Sequence, residues 1–455
     1  MKMNKILLAI LAMGTTAGVA QAEVNMVSTD STSVSLYGIL DAGVVQMTNA
    51  GNISPTFVTG AVPTGANKTS ALISGNTVRG MMNGGESATR WGIMGSEDMG
   101  DGNKAFFKLE SGFSLANGTL ANSGLTSGNT TVRTMAADTS LEGQLFGRAA
   151  YVGLSNTDLG AISLGRQNNL QLDIIASTAG GYDPVNAQMF SPINFSGFYG
   201  GGGETDNARI DQAVKYSKQI GNFNVNALYG FGGVAGASSA RSNEEINVGY
   251  EADTFGVQGA AMLAKDTTSI TGPGSGAGVT GTNTYGLVNA TFVNLTSYML
   301  TGRYKVAEPL MLKAGYERVE IGAPSSPTAD GQLGTIYGYQ IAPGNIAGGT
   351  GSAWLGAQKN VNVYWLGANY DLSSKTKISV GYYDAETVAG SGGGNNNILG
   401  SGSDKYTSAM IEYNLSKKTN LYAAFMLDKK SGSASFGPTA PSTFNTYGGG
   451  LRVKF

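Results

Sequence analysis

The chain of 455 residues contains no cysteine and no histidine. Without cysteine there is no disulfide framework, no thiolate nucleophile and no cysteine-based zinc site. Without histidine the commonest general base, the commonest metal ligand and every Ser-His-Asp triad are gone. Charge is scarce too: 13% of residues are charged, against roughly 25% in an ordinary soluble domain. The net formal charge of −2 gives no electrostatic footprint for nucleic acid, and none is expected as a partner. After residue 22 no apolar run approaches the about 20 residues that a membrane-spanning helix needs. What is abundant is glycine, with 69 residues, while hydrophobic content is an ordinary 41%. Such a chain buries a large surface, yet little enzyme chemistry is open to it.

The first 22 residues read as an address. Lys2 and Lys5 give a positive start, Ile6 to Met13 an apolar run, and Ala20-Gln21-Ala22 a small-x-small cleavage signal. Residues 1–22 are therefore expected to be a cleaved secretory leader, and residues 23–455 a single exported domain.

An exported chain without spanning helices is either soluble or a membrane barrel, and alternation separates the two. Strands of a transmembrane barrel run about 10 residues with apolar side chains toward lipid and polar ones toward the lumen. The final segment sets Tyr447, Gly449, Leu451, Val453 and Phe455 against Thr446, Gly448, Gly450, Arg452 and Lys454. Leu421, Ala423, Phe425 and Leu427 alternate with Tyr422, Ala424, Met426 and Asp428; Leu312, Ala314 and Tyr316 with Lys313, Gly315 and Glu317. That is the period of two of a strand. Asn362 to Tyr370 departs from it, with aromatic or aliphatic residues on both faces.

Candidate strands lie near 35–47, 88–96, 103–113, 145–155, 160–167, 209–218, 222–231, 243–252, 255–265, 296–305, 309–320, 360–370, 375–385, 404–414, 418–428 and 444–455. Short links such as SEDMGDGN (96–103) and NLSKKT (414–419) take turns with long Gly/Ser/Thr/Asn-rich ones such as 48–87, 114–144, 168–208, 266–295, 321–359 and 386–403. Sorting loop lengths by side is a habit of bacterial outer-membrane barrels. A soluble sandwich has no reason for it. The pattern predicts an all-β transmembrane antiparallel barrel of about 16 strands. A local repeat agrees: YDLSSKT (370–376) and YNLSKKT (413–419), with echoes at 216–222 and 250–256, each set a Tyr just before a polar turn. An interfacial girdle wants an amphipathic ring at that height.

The strings SVSLYGILDAGV (33–44), TRWGIMGSEDMGDGNKAFFKLESGF (89–113) and FGRAAYVGLSNTDLGAISLGRQ (146–167), with the Phe-terminated last strand, resemble the general trimeric porins of Gram-negative outer membranes. The likeness is greatest to porins of beta-proteobacterial and neisserial type and spans the whole mature chain. The resemblance implies a water-filled channel for passive diffusion of small hydrophilic solutes and ions, assembled as a homotrimer. It implies an inward-folded third loop, here about 168–208. Outer-membrane lipid, lipopolysaccharide and the barrel-assembly machinery are the expected partners. No enzyme activity, metal or cofactor is implied.

The family's constriction carries over position by position. Arg90 in TRWG, Arg148 in FGRAAYVGL and Arg209, seven residues before Tyr216, match wall basic residues. Alternation supports an inward Arg90 and an inward Arg209, the latter sharing its face with Asp211 and Lys215; around Arg148 it is ambiguous. A fourth basic position of some relatives is Ile39 here. Asp183 in GGYDP is the best match to an opposing loop carboxylate, with Asp173 nearer the loop's root and Glu204 and Asp206 as further acidic candidates. A Pro-Glu-Phe-Gly-Gly motif of some relatives is replaced by SPINFSGFYGGGG. Lys108 and Glu110 share one parity and are expected to pair on the wall. Phe455 matches the terminal signal read during barrel assembly.

Other readings stand beside this one. The glycine tracts 200–203 and 390–397 lack the strand–loop–helix setting with Lys and Ser/Thr that a phosphate cradle needs, and read as loop tips. A carboxylate-pair glycosidase needs no histidine, and an adhesive or substrate-selective barrel shares the alternation. Liposome swelling separates a pore from an adhesin. Three arginines facing one firm carboxylate predict a mild anion preference, with cation preference the outcome if acidic loop residues converge on the mouth.

Overall fold

In the computed structural model the described residues are 23–49, 77–118, 120, 145–176, 181–192, 208–233, 235–273, 287–322, 335–336, 339–341, 359–388, 401–432 and 442–455. The expected leader, 1–22, and the acidic candidates Glu204 and Asp206 lie outside them.

In chain order the strands are β1 (Glu23–Ser28), β2 (Thr32–Thr48), β3 (Val78–Asn83), β4 (Arg90–Gly100), β5 (Asn103–Gly112), β6 (Ala149–Asn156) and β7 (Gly160–Asn168). A single short helix turn, α1 (Leu170–Ile175), follows. Then come β8 (Arg209–Ile220), β9 (Phe223–Gly230), β10 (Asn243–Glu251), β11 (Phe255–Pro273), β12 (Leu287–Ala307), β13 (Leu310–Gly322), β14 (Thr335–Ile336) and β15 (Tyr339–Ile341). The chain ends with β16 (Lys359–Asp371), β17 (Thr376–Val388), β18 (Gly402–Asn414), β19 (Thr419–Gly432) and β20 (Thr443–Lys454). Sixteen of these close into one antiparallel barrel, which leaves no sheet edge to satisfy in lipid. No described helix is long and apolar enough to cross a membrane.

Closure is made by β20 against β2, from Ile39 opposite Lys454 to Thr48 opposite Asn445. Phe455 extends the seam: its N–H donates to the Gly38 carbonyl at 3.0 Å, and its own carbonyl accepts from the Gly38 N–H at 2.9 Å. The Phe455 ring fills the space over Gly38, where a Cβ would come within 2.3 Å of it. That close approach is why the strand carries glycine there.

The short β1 pairs with the first half of β2 and prolongs the line of β20; β3 pairs with the second half and prolongs β4. Both strands were unexpected. Between β3 and β4 residues 84–89 leave the ladder, starting at Gly84 with φ of 79°, a region that suits glycine. The segments expected as loops at 266–295 and 321–359 also hold strand. β11 and β12 stay paired as far as Pro273 opposite Val288, and β14 and β15 add a small hairpin.

The two near-identical hairpins adopt one turn. Ser373 Oγ accepts from the N–H groups of Lys375 and Thr376, and Ser416 Oγ from those of Lys418 and Thr419, all within 3.2 Å. Tyr370 and Tyr413 stand exposed just before them.

Candidate functional site

Alternation aims Tyr37, Lys108, Glu110 and Arg90 at the barrel interior, because all fall on the parity opposite exposed Val44, Val152 and Leu154. On β5 Glu110 is the hub. Its carboxylate accepts from the Arg148 Nε at 2.7 Å and the Tyr37 hydroxyl at 2.9 Å. Lys108 Nζ lies 3.4 Å and Arg90 Nε 3.7 Å from it. Lys108 also sits 5.4 Å over the Tyr37 ring, a cation–π geometry. Arg148 precedes β6, and its N–H donates to the Glu110 carbonyl at 3.2 Å. Backbone and side chain thus fix it on the same residue, which strict alternation could not decide. Three cations thus gather within 3.7 Å of the Glu110 carboxylate.

Arg209 stands apart, at the start of β8, three strands along the sheet from β5, buried and opposite Asn168. The alternation read along 209–216 is interrupted. A bulge sets Asp211 and Gln212 together against the single Arg166, with Gln212 at φ of 49°. One extra residue flips the parity. Ile210 rather than Arg209 therefore joins Ala213 and Leu228, under Leu170 of α1. Asp211 is 58% exposed and pairs with Arg166 at 2.6 Å, not with the basic cluster. Lys215 pairs with Asp173 and donates to the Asn168 carbonyl at 3.1 Å, at the root of the inward loop.

That loop begins at α1, capped by the Asn169 side chain on the Leu172 N–H at 2.6 Å. Gln171 Nε2 donates to Ser297 Oγ at 2.6 Å, and the Ser297 hydroxyl donates in turn to the Glu317 carboxylate at 2.6 Å. Further on, Trp365 Nε1 donates to the Tyr182 carbonyl at 3.1 Å, and Asn369 to the Pro184 carbonyl at 2.6 Å. Beneath the loop lies an apolar core inside the barrel. Ile175, Tyr182, Val185, Met189 and Phe190 of the loop pack on Met262, Met299, Val361, Val363, Trp365 and Met426 of the wall.

Asp183 takes a different place from the one expected of an opposing eyelet carboxylate. It is fully buried. Its carboxylate accepts from the Tyr383 and Ser191 hydroxyls, each at 2.5 Å, and from the Val185 N–H at 3.2 Å. Burial pushes its carboxyl above the usual range, while the two hydroxyls and Lys313 act in the opposite direction. Lys313 Nζ donates to the Asp183 carbonyl at 3.0 Å. Asp183 thus fastens the loop to β13 through its carbonyl and to β17 through its side chain.

Two groups escaped the reading of the sequence. Tyr37 was visible only as a strand residue. Arg452 sits on the inner parity of β20 and donates to Asn420 and Ser87, both at 2.9 Å, while pairing with Glu86. Its inward parity was legible; its partners, more than 30 residues away in sequence, were not. Among the described residues no cluster of acidic side chains has the makings of a metal site.

The arrangement sets a polar cluster around Glu110 on one part of the wall and a loop packed on an apolar cluster on another. Comparison with known proteins agrees with a channel. A family model described as Gram-negative porin matches residues 8–433. An outer membrane porin protein of Bordetella pertussis is 29% identical, over 96% of this chain and 99% of its own. Among solved structures, an anion-selective porin from Comamonas acidovorans superposes with a TM-score of 0.61 at 18% identity, covering 93% of this chain and all of that one. The trimer form of OmpT of Vibrio cholerae gives 0.57 at 16% identity, covering 94% and 100%.

Proposed function

The chain belongs to the Gram-negative porin family, and from that premise we infer where its pore narrows and which solutes it favours. It is an outer-membrane porin, a barrel channel for passive diffusion of small hydrophilic solutes. The narrow zone runs between the Glu110 cluster on β4–β6 and the inward loop at 181–192. Within it, small anions pass more readily than cations.

One observation carries this reading: Arg90, Lys108 and Arg148 gather within 3.7 Å of their shared partner, the Glu110 carboxylate. Asp183, the carboxylate that would balance them from the loop, spends its oxygens on Tyr383, Ser191 and Val185. Charges at a narrow, partly desolvated ring act at lower dielectric than in bulk water. The local excess therefore outweighs the −2 of the whole chain. The solved Comamonas acidovorans protein, named anion-selective, lends support. Purified protein in a planar bilayer should show a zero-current potential of anion-selective sign in a potassium chloride gradient. A cation-selective sign overturns the assignment.

Residues 1–22 serve as the cleaved leader, and the mature barrel assembles as a homotrimer, as the trimer form of the Vibrio cholerae protein suggests. An unboiled sample running as a monomer on a denaturing gel contradicts the trimer. Phe455 both closes the seam against Gly38 and acts as the assembly signal. Its deletion should lower the amount inserted in the outer membrane, whereas full insertion removes the signalling role.

A further inference from the structure

The inward loop has a second attachment, at its far end. The N–H groups of Gln188 and Met189 donate to the carbonyls of Glu86 and Gly85, both at 3.0 Å. Those carbonyls belong to the segment 84–89, which has left the ladder between β3 and β4. Arg452 and Asn420 hold the side chains of Ser87 and Glu86, but the side chain that meets the segment's backbone is Asp41 of β2, which is fully buried.

Asp41 engages the segment along its whole length. Its carboxylate accepts from three consecutive N–H groups, Gly85 at 3.2 Å, Glu86 at 3.0 Å and Ser87 at 2.7 Å. Its carbonyl accepts from the Gly84 N–H at 2.9 Å and the Thr89 hydroxyl at 3.0 Å. Thr89 Oγ1 in turn accepts from the Asp41 N–H at 3.1 Å. The Tyr422 hydroxyl holds the carboxylate from the other side at 2.6 Å. With three amides turned toward Asp41, the Gly85 and Glu86 carbonyls are free to face the loop. Gly85 must be glycine, since a Cβ there would lie 2.3 Å from the Tyr422 hydroxyl. A buried carboxylate is costly unless its hydrogen bonds are met, and here backbone donors meet them.

We propose that Asp41 is the positioning residue of the constriction: it folds residues 84–89 into a socket that clasps the tip of the inward loop and so sets the width of the pore. Asp41 touches no solute; it acts through the loop. The proposal rests on the loop's narrowing the channel, as inferred above.

Asp41→Ala leaves the three N–H groups without their acceptor and frees the tip. Single-channel conductance should rise about 1.5-fold, with added open-channel noise, as expected where lining geometry sets conduction. Asp41→Asn puts an amide donor where two N–H groups need an acceptor, and should shift conductance the same way if the alanine variant fails to insert. A purely structural role is separated by rescue. Glu86→Cys with Gln188→Cys, added to either variant, introduces the only thiols of a chain that has no cysteine. Residues joined by a backbone hydrogen bond have the close spacing a disulfide spans, about 5–6 Å between Cα atoms. Oxidation should return conductance and noise to wild-type values, and reduction of the same protein should raise them again. Wild-type conductance in the Asp41 variants, or no difference between oxidised and reduced forms, overturns the proposal. A wild-type protein that forms no channel instead removes the porin reading beneath it.

Discussion

The inner wall of this barrel has two unlike halves. From β2 to β6 it carries Tyr37, Arg90, Lys108, Glu110 and Arg148, a polar strip organised around one carboxylate. From β11 to β19 it carries a buried apolar cluster, Met262, Met299, Val361, Val363, Trp365, Met410 and Met426, interleaved with Ser297, Lys313, Glu317 and Asn369, which bond to the loop or to one another. Apolar side chains that face a lumen are costly in water unless the chain itself covers them, and the inward loop covers these. Polar-in, apolar-out alternation is thus a statement about where water stands, and it fails where the loop has taken water's place. On the reading proposed above, solutes pass along the first half, where Arg90 and Arg148 keep some exposure while Tyr37, Lys108 and Glu110 are buried; the second half moors the loop.

Three substitutions separate the halves. The largest effect falls on the moored side. Trp365→Ala removes a buried indole from the loop–wall core and the donor to the Tyr182 carbonyl, a change worth about 3–5 kcal/mol. Denaturant unfolding in detergent should show the loss, and single-channel conductance should rise as the loop loosens. An unchanged conductance means the core does not hold the loop against the wall. Next, Asp183→Ala strands the Tyr383 and Ser191 hydroxyls, at about 1–3 kcal/mol for each orphaned group. It should raise conductance while leaving the sign of selectivity as it was. A shift toward anions as large as the change in conductance would return Asp183 to the eyelet as a charged lining residue. The smallest change in stability is expected on the polar side. Glu110→Gln keeps an acceptor for Tyr37 and Arg148 but removes the charge that offsets three cations. The zero-current potential should move further toward anions, most clearly in low salt, where screening is weakest. A move toward cations instead means that Glu110 acts by arranging the arginines rather than by neutralising them.

The same contrast explains what was legible in the sequence. Each of the sixteen ring strands overlaps the stretch expected of it, and where period two is clear it is because lipid and water impose opposite demands on neighbouring residues. Asn362 to Tyr370 resisted that reading for a physical reason: Val363 and Trp365 lie under the loop, while Tyr364 and Leu366 face outward. Arg90, Lys108 and Glu110 could be placed by parity alone. Arg209 and Asp211 could not, since a bulge at Gln212 resets the count and nothing in RIDQAV (209–214) announces it. Asp183 was found but given the wrong surroundings, because a loop residue's burial depends on contacts such as Tyr383, 200 positions away. The socket built by Asp41 was invisible for the same reason, its partners lying 43 to 48 residues on and, for Tyr422, 381.

The division of the wall is tested most directly by Arg90→Ser combined with Arg148→Ser, measured as zero-current potential across a potassium chloride gradient at low ionic strength. With two of three cations gone and Glu110 left, the potential should shift from anion-selective to cation-selective, and conductance should grow as two long side chains leave the narrow zone. A potential and a conductance both equal to those of the wild type would show that solutes do not pass along this strip.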